Sequence, residues 1–432
     1  MKVFIETYGC QMNVSDSELV QSILEQKNHT ITAEIDEADV IIFNTCSVRQ
    51  RAEDRVMGRI SNEMARKKEH KNLKIGVIGC MAQRLGEELK KSNSAIDFVI
   101  GVDQYKKLPE ILDQFSQNAS FKAAVDVNNS EVYEELYPHH QGEQNAFVTI
   151  MRGCNNFCSY CIVPYTRGRE RSRPIDDILN EIRQVGKAGF KDVTLLGQNV
   201  NSYNYQETNF AELLRRANQI SEIKRLRFVT SHPKDLSDEV IAVMAESEKI
   251  CEHLHLALQS GDNDILAAMN RGYTAQHYEK IVQKLRAAMP EIAITTDIIA
   301  GFPGESAEQF QKTYDLMQRI EFDYAFTFKY SPRAGTKAAA FSNQIPENIR
   351  LQRLQKLIRL QEQITLKKYQ EQIGKIKEVY VSQLSKKDKN ELAGKTRDFK
   401  ITVFPGKAEL IGQFVRVKIV DAVGWTLKGE LI

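Results

Sequence analysis

Short apolar runs and amphipathic stretches take turns along the first hundred residues. KVFIETYG (2–9), ADVIIFNT (38–45), LKIGVIG (73–79) and IDFVIG (96–101) are runs of strand length, and the middle two are almost wholly apolar. Runs of that kind read as strands buried on both faces of a parallel sheet. Between them the apolar positions fall at helical spacing. Ser15-Asp-Ser-Glu18 forms a capping box ahead of Leu19, Val20, Ile23 and Leu24. A charged helix follows the second run, and another is expected from about Arg84. Residues 1–120 are therefore predicted as a doubly wound α/β domain.

Between 118 and 145 the periodicity lapses, and 121–143 read as a polar linker. His139 and His140 fall inside it and are expected to be solvated. From 146 the alternation resumes. Strands are predicted at 146–151, 192–196, 225–229, 254–258, 292–299 and 323–329. Helices are predicted at 175–188, 210–219, 235–248, 275–288 and 306–319, with a long polar helix from about Pro346 to Gln372. Six βα units fall short of an eightfold barrel, so 144–372 reads as a partial, open (β/α)6 barrel with its site at the C-terminal strand ends. From 373 to 432 the period drops to two, with glycine turns, as in a small β-barrel.

Composition narrows the function. No apolar run is long enough to span a membrane, and MKVFIETYGCQMN lacks the features of a signal peptide, so a cytoplasmic protein is expected. Net charge is only +2, so nucleic-acid contact would need local patches. One such patch is the C-terminal barrel, with Lys400 and Arg416 among its basic residues and Phe399 and Trp425 interleaved; a solvated basic surface is the bland alternative. Seven cysteines, an odd and clustered set, argue for reduced thiols acting as ligands or nucleophiles.

Six of the seven fall into two triads. Cys10, Cys46 and Cys80 each lie just past a predicted strand of the first domain. In a parallel sheet those ends share one edge, so three thiolates can converge there on a soft metal or Fe–S cluster. The alternative, three core thiols, would place them inside the strands. Cys154, Cys158 and Cys161 form C-x3-C-x2-C after the first barrel strand. Structural zinc takes four ligands, and no fourth Cys or His follows closely. An Fe–S cluster held by three cysteines leaves one iron open. Cys251, at the start of the fourth barrel strand, reads as a core thiol. Later strand ends carry Gly197-Gln198-Asn199, Gln259-Ser260 and Gly301 with Glu305, small and polar residues that let a ligand approach backbone. Asp297 interrupts an apolar strand and is expected either to pair with an arginine or to serve a substrate.

The C-x3-C-x2-C loop resembles that of the radical S-adenosylmethionine (SAM) superfamily. The two triads in this order, followed by a basic barrel, resemble the radical-SAM methylthiotransferases across nearly the whole chain, the last barrel corresponding to a TRAM domain. TYGCQMNVSDSE, FNTCSVRQRAEDRVMGRI and CNNFCSYCIVPYTRGRERSR are most similar to the isopentenyladenosine branch. The resemblance implies two [4Fe–4S] clusters. Cys154, Cys158 and Cys161 would hold the one that cleaves SAM to a radical, with Gly197, Gln198, Asn199, Gln259, Ser260, Gly301 and Glu305 contacting SAM. Cys10, Cys46 and Cys80 would hold an auxiliary cluster carrying sulfur that a second SAM methylates. The substrate would be a prenylated adenosine beside the anticodon of tRNA, modified at C2, with the anticodon stem-loop as the recognised element. Threonylcarbamoyl-adenosine, a ribosomal-protein side chain, or RNA binding without catalysis are the competing outcomes. An electron donor of flavodoxin or ferredoxin type and cluster-assembly proteins are implied as partners. Arg167, Arg169 and Arg171, beside Arg152, Arg173, Tyr160 and Tyr165, are expected to contact RNA, unless they pair with helix carboxylates such as Asp176 and Asp177.

Overall fold

A computed structural model describes residues 1–47, 50–115, 120–140 and 144–432. The N-terminal sheet has six parallel strands in the order Thr30–Ile31, Lys2–Tyr8, Val40–Thr45, Lys74–Ile78, Phe98–Ile100, Lys122–Ala124. Two separate apolar clusters, one holding Val3, Val40 and Ile42 and the other Ile41, Phe43 and Val77, show that both faces are covered. The strand order reverses between Lys2–Tyr8 and Val40–Thr45, which opens a crevice at their C-terminal ends.

Two helix starts differ from the sequence reading. The first helix is Gln11–Glu25, capped by Cys10 and Asn13 rather than by Ser15 and Glu18. The helix expected from about Arg84 begins at Cys80 and ends at Leu85. In both cases the strand-to-helix turn is shorter than the loop expected, so the cysteine itself stands at the helix start. The predicted linker is also less of one. Lys122–Ala124 joins the sheet, and Tyr133 is buried. The His140 side chain is buried too, its ring at 3.0 Å from Glu18, because the segment folds back over the first helix; His139 stays exposed. Parts of the linker, 116–119 and 141–143, lie outside the described residues.

The middle domain carries six parallel strands, Asn145–Thr149, Asp192–Leu196, Arg225–Phe228, His253–His255, Ala293–Ala300 and Tyr324–Lys329. Parallel bridges Leu226–Ile250 and Ser231–Leu256 join the third to the fourth. Among the described residues nothing pairs the first strand with the sixth, so the barrel is open. The long helix Glu347–Gln370 leads to a closed five-stranded barrel over Ile376–Leu431.

This last barrel is fastened to the foot of the strands by buried cations. Arg225 donates to the Lys395 carbonyl at 2.7 Å and Glu378 at 2.7 Å. Arg227 donates to the carbonyls of Arg397 and Thr396 at 2.8 and 2.9 Å. Lys400, expected on an RNA-facing surface, is 4% exposed and donates to Asp323 and Asp398 at 3.0 and 2.7 Å. An ammonium out of water needs such partners. Among the described residues no helix is long and apolar enough to cross a membrane.

Burial alone would raise the Asp398 carboxyl, but Lys400 and Lys377 outweigh it and hold it at about 2, below its ordinary 3.8. Its stabilising contribution is therefore complete above about pH 4 and is lost as pH falls toward 2. Amide exchange in the last barrel should quicken over that window, and Lys400→Ala should lose about 3–5 kcal/mol at neutral pH in a denaturant titration.

Candidate cluster sites at two strand edges

The first triad sits at the crevice where the sheet order reverses. Cys10 and Cys46 follow the two strands that flank it, and Cys80 follows the next strand. A β-carbon on Gly9 would stand 2.7 Å from the Cys46 β-carbon, so this turn must be bare for the two cysteines to approach. Asn13 and Asn44, both fully buried, lace the turns together: the Asn13 amide donates to the Asn44 side chain at 3.0 Å, and the Asn44 amide donates to the Asn13 carbonyl at 2.9 Å. Beyond Cys46, Arg84 donates to Ser47 at 2.7 Å and to both oxygens of Glu53. A hydrogen bond from Cys46 lowers the Cys10 thiol to about 6, partial desolvation opposing and Arg167 assisting. A thiol so lowered is a ready soft ligand.

The second triad lies at the end of the first barrel strand. Gly153 enters it with φ +74, and a β-carbon there would meet the Arg169 carbonyl at 2.0 Å. The loop is pinned from the far side of the barrel, since Ser159 donates from its backbone to the Met269 carbonyl and from its hydroxyl to the Ala268 carbonyl. Arg271 donates to the Cys158 sulfur at 3.3 Å and to the Ala257 carbonyl at 2.6 Å. Burial pushes the thiols of Cys154 and Cys161 up to about 11 and about 12. Thiols held neutral in the bare protein ionise on binding a metal.

Arg167, shortly after Cys161, ties the two edges together. Its Nε donates to the Cys80 sulfur at 3.1 Å and its terminal nitrogen to Asp16 at 2.7 Å. Asp16 is fully buried and accepts also from Arg152 at 2.8 Å and Tyr105 at 3.2 Å. Burial would raise its carboxyl, but Arg167 and Arg152 outweigh that and lower it.

The arginine run is thus mostly internal. Arg167 and Arg171 were expected to face RNA; both are buried, and Arg171 donates to Asp103 at 2.9 Å. Arg173 pairs with Asp177 and Glu181. Domain contact surrounds these guanidiniums with carboxylates. Arg169 remains exposed, over the Phe157 ring, and Arg416 is exposed on the last barrel. Asp297 has no arginine partner among the described residues; it pairs with His255 at 3.3 Å. Cys251 is a buried thiol, raised by burial to about 11.

Of the strand-end residues expected to hold SAM, Gln198, Gln259 and Glu305 each bury a side-chain oxygen with no hydrogen-bond partner. Gln259 also adopts φ +73, strained for a residue with a side chain. Unsatisfied buried acceptors and local strain beside three thiols fit a polar ligand. Asn199, Ser260 and Gly301 are engaged structurally: Asn199 donates to Asp235, Ser260 shares a bond with Thr313, and the Gly301 amide donates to Glu305. Among the described residues no three Cys, His, Asp or Glu side chains close round a single ion. Cluster thiolates bind separate irons and need no such closure. Asn13, Asn44, Asp16 and Arg271 escaped the sequence reading. Only Asp16 carried a signal, a charge on the apolar side of an amphipathic helix.

Residues 148–317 match the Radical SAM superfamily, residues 2–101 match Uncharacterized protein family UPF0004, and residues 370–432 match the TRAM domain. The chain is 48% identical to a tRNA-2-methylthio-N(6)-dimethylallyladenosine synthase of Thermoanaerobacter sp. (strain X514), across 99% of this chain and 92% of that protein. It is 46% identical to the protein of the same name from Carboxydothermus hydrogenoformans, across 99% of each. A solved structure of the radical S-adenosylmethionine methyltransferase TsrM from Kitasatospora setae shares the fold at TM-score 0.59 and 13% identity, covering 78% of this chain and 74% of that one. The superfamily match implies SAM and a [4Fe–4S] cluster.

Removing the shared carboxylate should leave Arg152 and Arg167 buried without a counter-charge. Asp16→Ala is expected to cost about 3–5 kcal/mol in denaturant titration, and limited proteolysis should then cut between the first two domains.

Proposed function

The chain belongs to the family of tRNA-2-methylthio-N(6)-dimethylallyladenosine synthases, and we infer from that membership that it adds a methylthio group at C2 of N6-(dimethylallyl)adenosine beside the anticodon of tRNA. The observation that carries the reading is the approach of the two triads, bridged by Arg167 between the C-x3-C-x2-C loop and Cys80. Cys154, Cys158 and Cys161 hold the cluster that SAM joins, and Cys10, Cys46 and Cys80 hold a second [4Fe–4S] cluster. When bound, these groups supply one-electron chemistry at a C–H bond that has no acidic character and no handle for side-chain acid–base catalysis.

The side chains perform the tasks around it. Gln198, Gln259 and Glu305 offer unsatisfied oxygens to the donors of SAM. Arg271 holds Cys158 in place, and Arg167 holds Cys80. Arg169 and Arg416, both exposed, are left to meet RNA phosphates. The target base must leave its stack to reach a site at the strand ends. Two SAM molecules serve each turnover, one as radical source and one as methyl donor. A flavodoxin- or ferredoxin-type protein supplies electrons, cluster-assembly proteins load the sites, and the enzyme works in the cytoplasm.

The test is anaerobic reaction of reconstituted protein with prenylated anticodon stem-loop RNA, SAM and a reductant, read by nucleoside mass spectrometry. Methylthio-dimethylallyladenosine is the expected product. Product on threonylcarbamoyl-adenosine alone would overturn the substrate, and stoichiometric zinc would overturn the chemistry. Wild-type protein should carry about eight irons. Cys10→Ala and Cys158→Ala should each lose about half of the iron and all methylthiolation.

A further inference from the structure

The inner face of the last three barrel strands carries polar and aromatic groups that no step above uses. Register sets His255 abreast of Thr295, Thr295 abreast of Tyr324, and Asp297 abreast of Phe326. The alternate residues Leu254, Ile294, Ile298 and Ala325 enter the core beneath the outer helices. Strand side chains alternate between faces, so His255, Thr295, Asp297, Tyr324 and Phe326 share the lumen of the open barrel.

Within this face one group is held for another. The His255 ring meets the Thr295 hydroxyl at 3.0 Å through Nδ1 and the Asp297 carboxylate at 3.3 Å through Nε2. Both ring nitrogens are occupied, so His255 aims the carboxylate instead of offering itself to a ligand. Asp297 is ion-paired to no lysine or arginine among the described residues, and its side chain remains 29% exposed. Beside it Phe326 is 43% exposed, a large apolar ring left uncovered. Tyr324 stands edge-on to Phe326 at 4.8 Å and to Trp425 of the last barrel at 5.3 Å. An aromatic row therefore runs from the RNA-binding type of barrel to the lumen.

A free carboxylate oxygen next to an exposed aromatic face suits a flat ring that carries an N–H donor. Adenine meets this description. Its exocyclic nitrogen keeps one hydrogen after a single alkylation, while guanine would present the O6 acceptor to the carboxylate. We propose that this face receives the unstacked adenine ring of the RNA substrate, Asp297 accepting a hydrogen bond from the exocyclic N–H, Phe326 stacking on the ring, and His255 positioning the carboxylate. The proposal rests on the RNA-modifying reading above and assigns its base-recognition residues.

The test measures binding of anticodon stem-loops with adenine or guanine at the target position to the reconstituted holoenzyme, with SAM affinity measured alongside. Iron content and melting temperature serve as folding controls. Asp297→Asn should weaken adenine RNA binding roughly 10- to 100-fold and shrink the preference over guanine. Phe326→Ala should weaken both RNAs roughly tenfold or more, and Phe326→Trp should restore binding. His255→Ala should reproduce the lost preference, and His255→Gln should recover part of it. Unchanged RNA affinity and preference in all the variants would overturn the proposal, as would a loss confined to SAM affinity in Asp297→Asn. Absence of methylthiolated product with wild-type enzyme would instead overturn the reaction assignment, while the binding comparison still decides the recognition residues.

Discussion

A single carboxylate, Asp16, is shared by two arginines that flank the compact cysteine loop. Arg152 precedes Gly153 and Cys154, and Arg167 follows Cys161, so both shoulders of that loop are drawn to the first helix of the other domain. None of the three charges could be buried alone without a penalty of several kcal/mol. Together they offset one another's charge, with the Tyr105 hydroxyl as a further donor and the Tyr133 ring beneath Arg152 at 4.6 Å. Because the first helix begins at Cys10, fixing Asp16 also fixes the dispersed triad. The distance between the two sulfur-bearing edges is in this sense an electrostatic property.

The same device recurs at the other end of the barrel. Arg225, Arg227 and Lys400 are buried where the last barrel meets the strand feet, and their donors go to carbonyls and carboxylates across that junction. Carbonyl acceptors matter here, since they satisfy a guanidinium without needing a second buried charge. Arg167, Arg171 and Lys400, which suggest nucleic acid in the sequence, are thus internal fasteners. Arg169 stays exposed, as do Lys386, Lys387, Lys389, Arg416 and Lys418 on the last barrel.

The cluster thiols differ in chemical temper. Cys10 lies at a helix start near Arg167, with its thiol lowered, whereas the thiols of Cys154 and Cys161 are raised by burial. Cys10 is the exposed member of its triad; Cys46 and Cys80 are buried, and burial raises the Cys80 thiol as well.

Periodicity and spacing determined a good deal unaided. The strands preceding Cys10, Cys46, Cys80 and Cys154 were legible because buried parallel strands leave apolar runs, and a cysteine one step past such a run must stand at a sheet edge. The open six-stranded barrel and the small closed barrel followed from the change of period. What the sequence withheld was the partner of each charge. Arg167, Arg171 and Lys400 read as surface cations, His140 as a solvated linker residue and Asp297 as a partner for arginine or for a substrate, because a charged residue carries no local mark of what will face it. Asp16 and Arg167 stand far apart in the chain, and only packing of one domain on another brings them together. Helix starts at Cys10 and Cys80 were missed for a related reason: how tight a strand-to-helix turn becomes depends on the neighbouring turn it packs against. Pattern along the chain decides which residues reach an edge; the tertiary fold decides what they meet there.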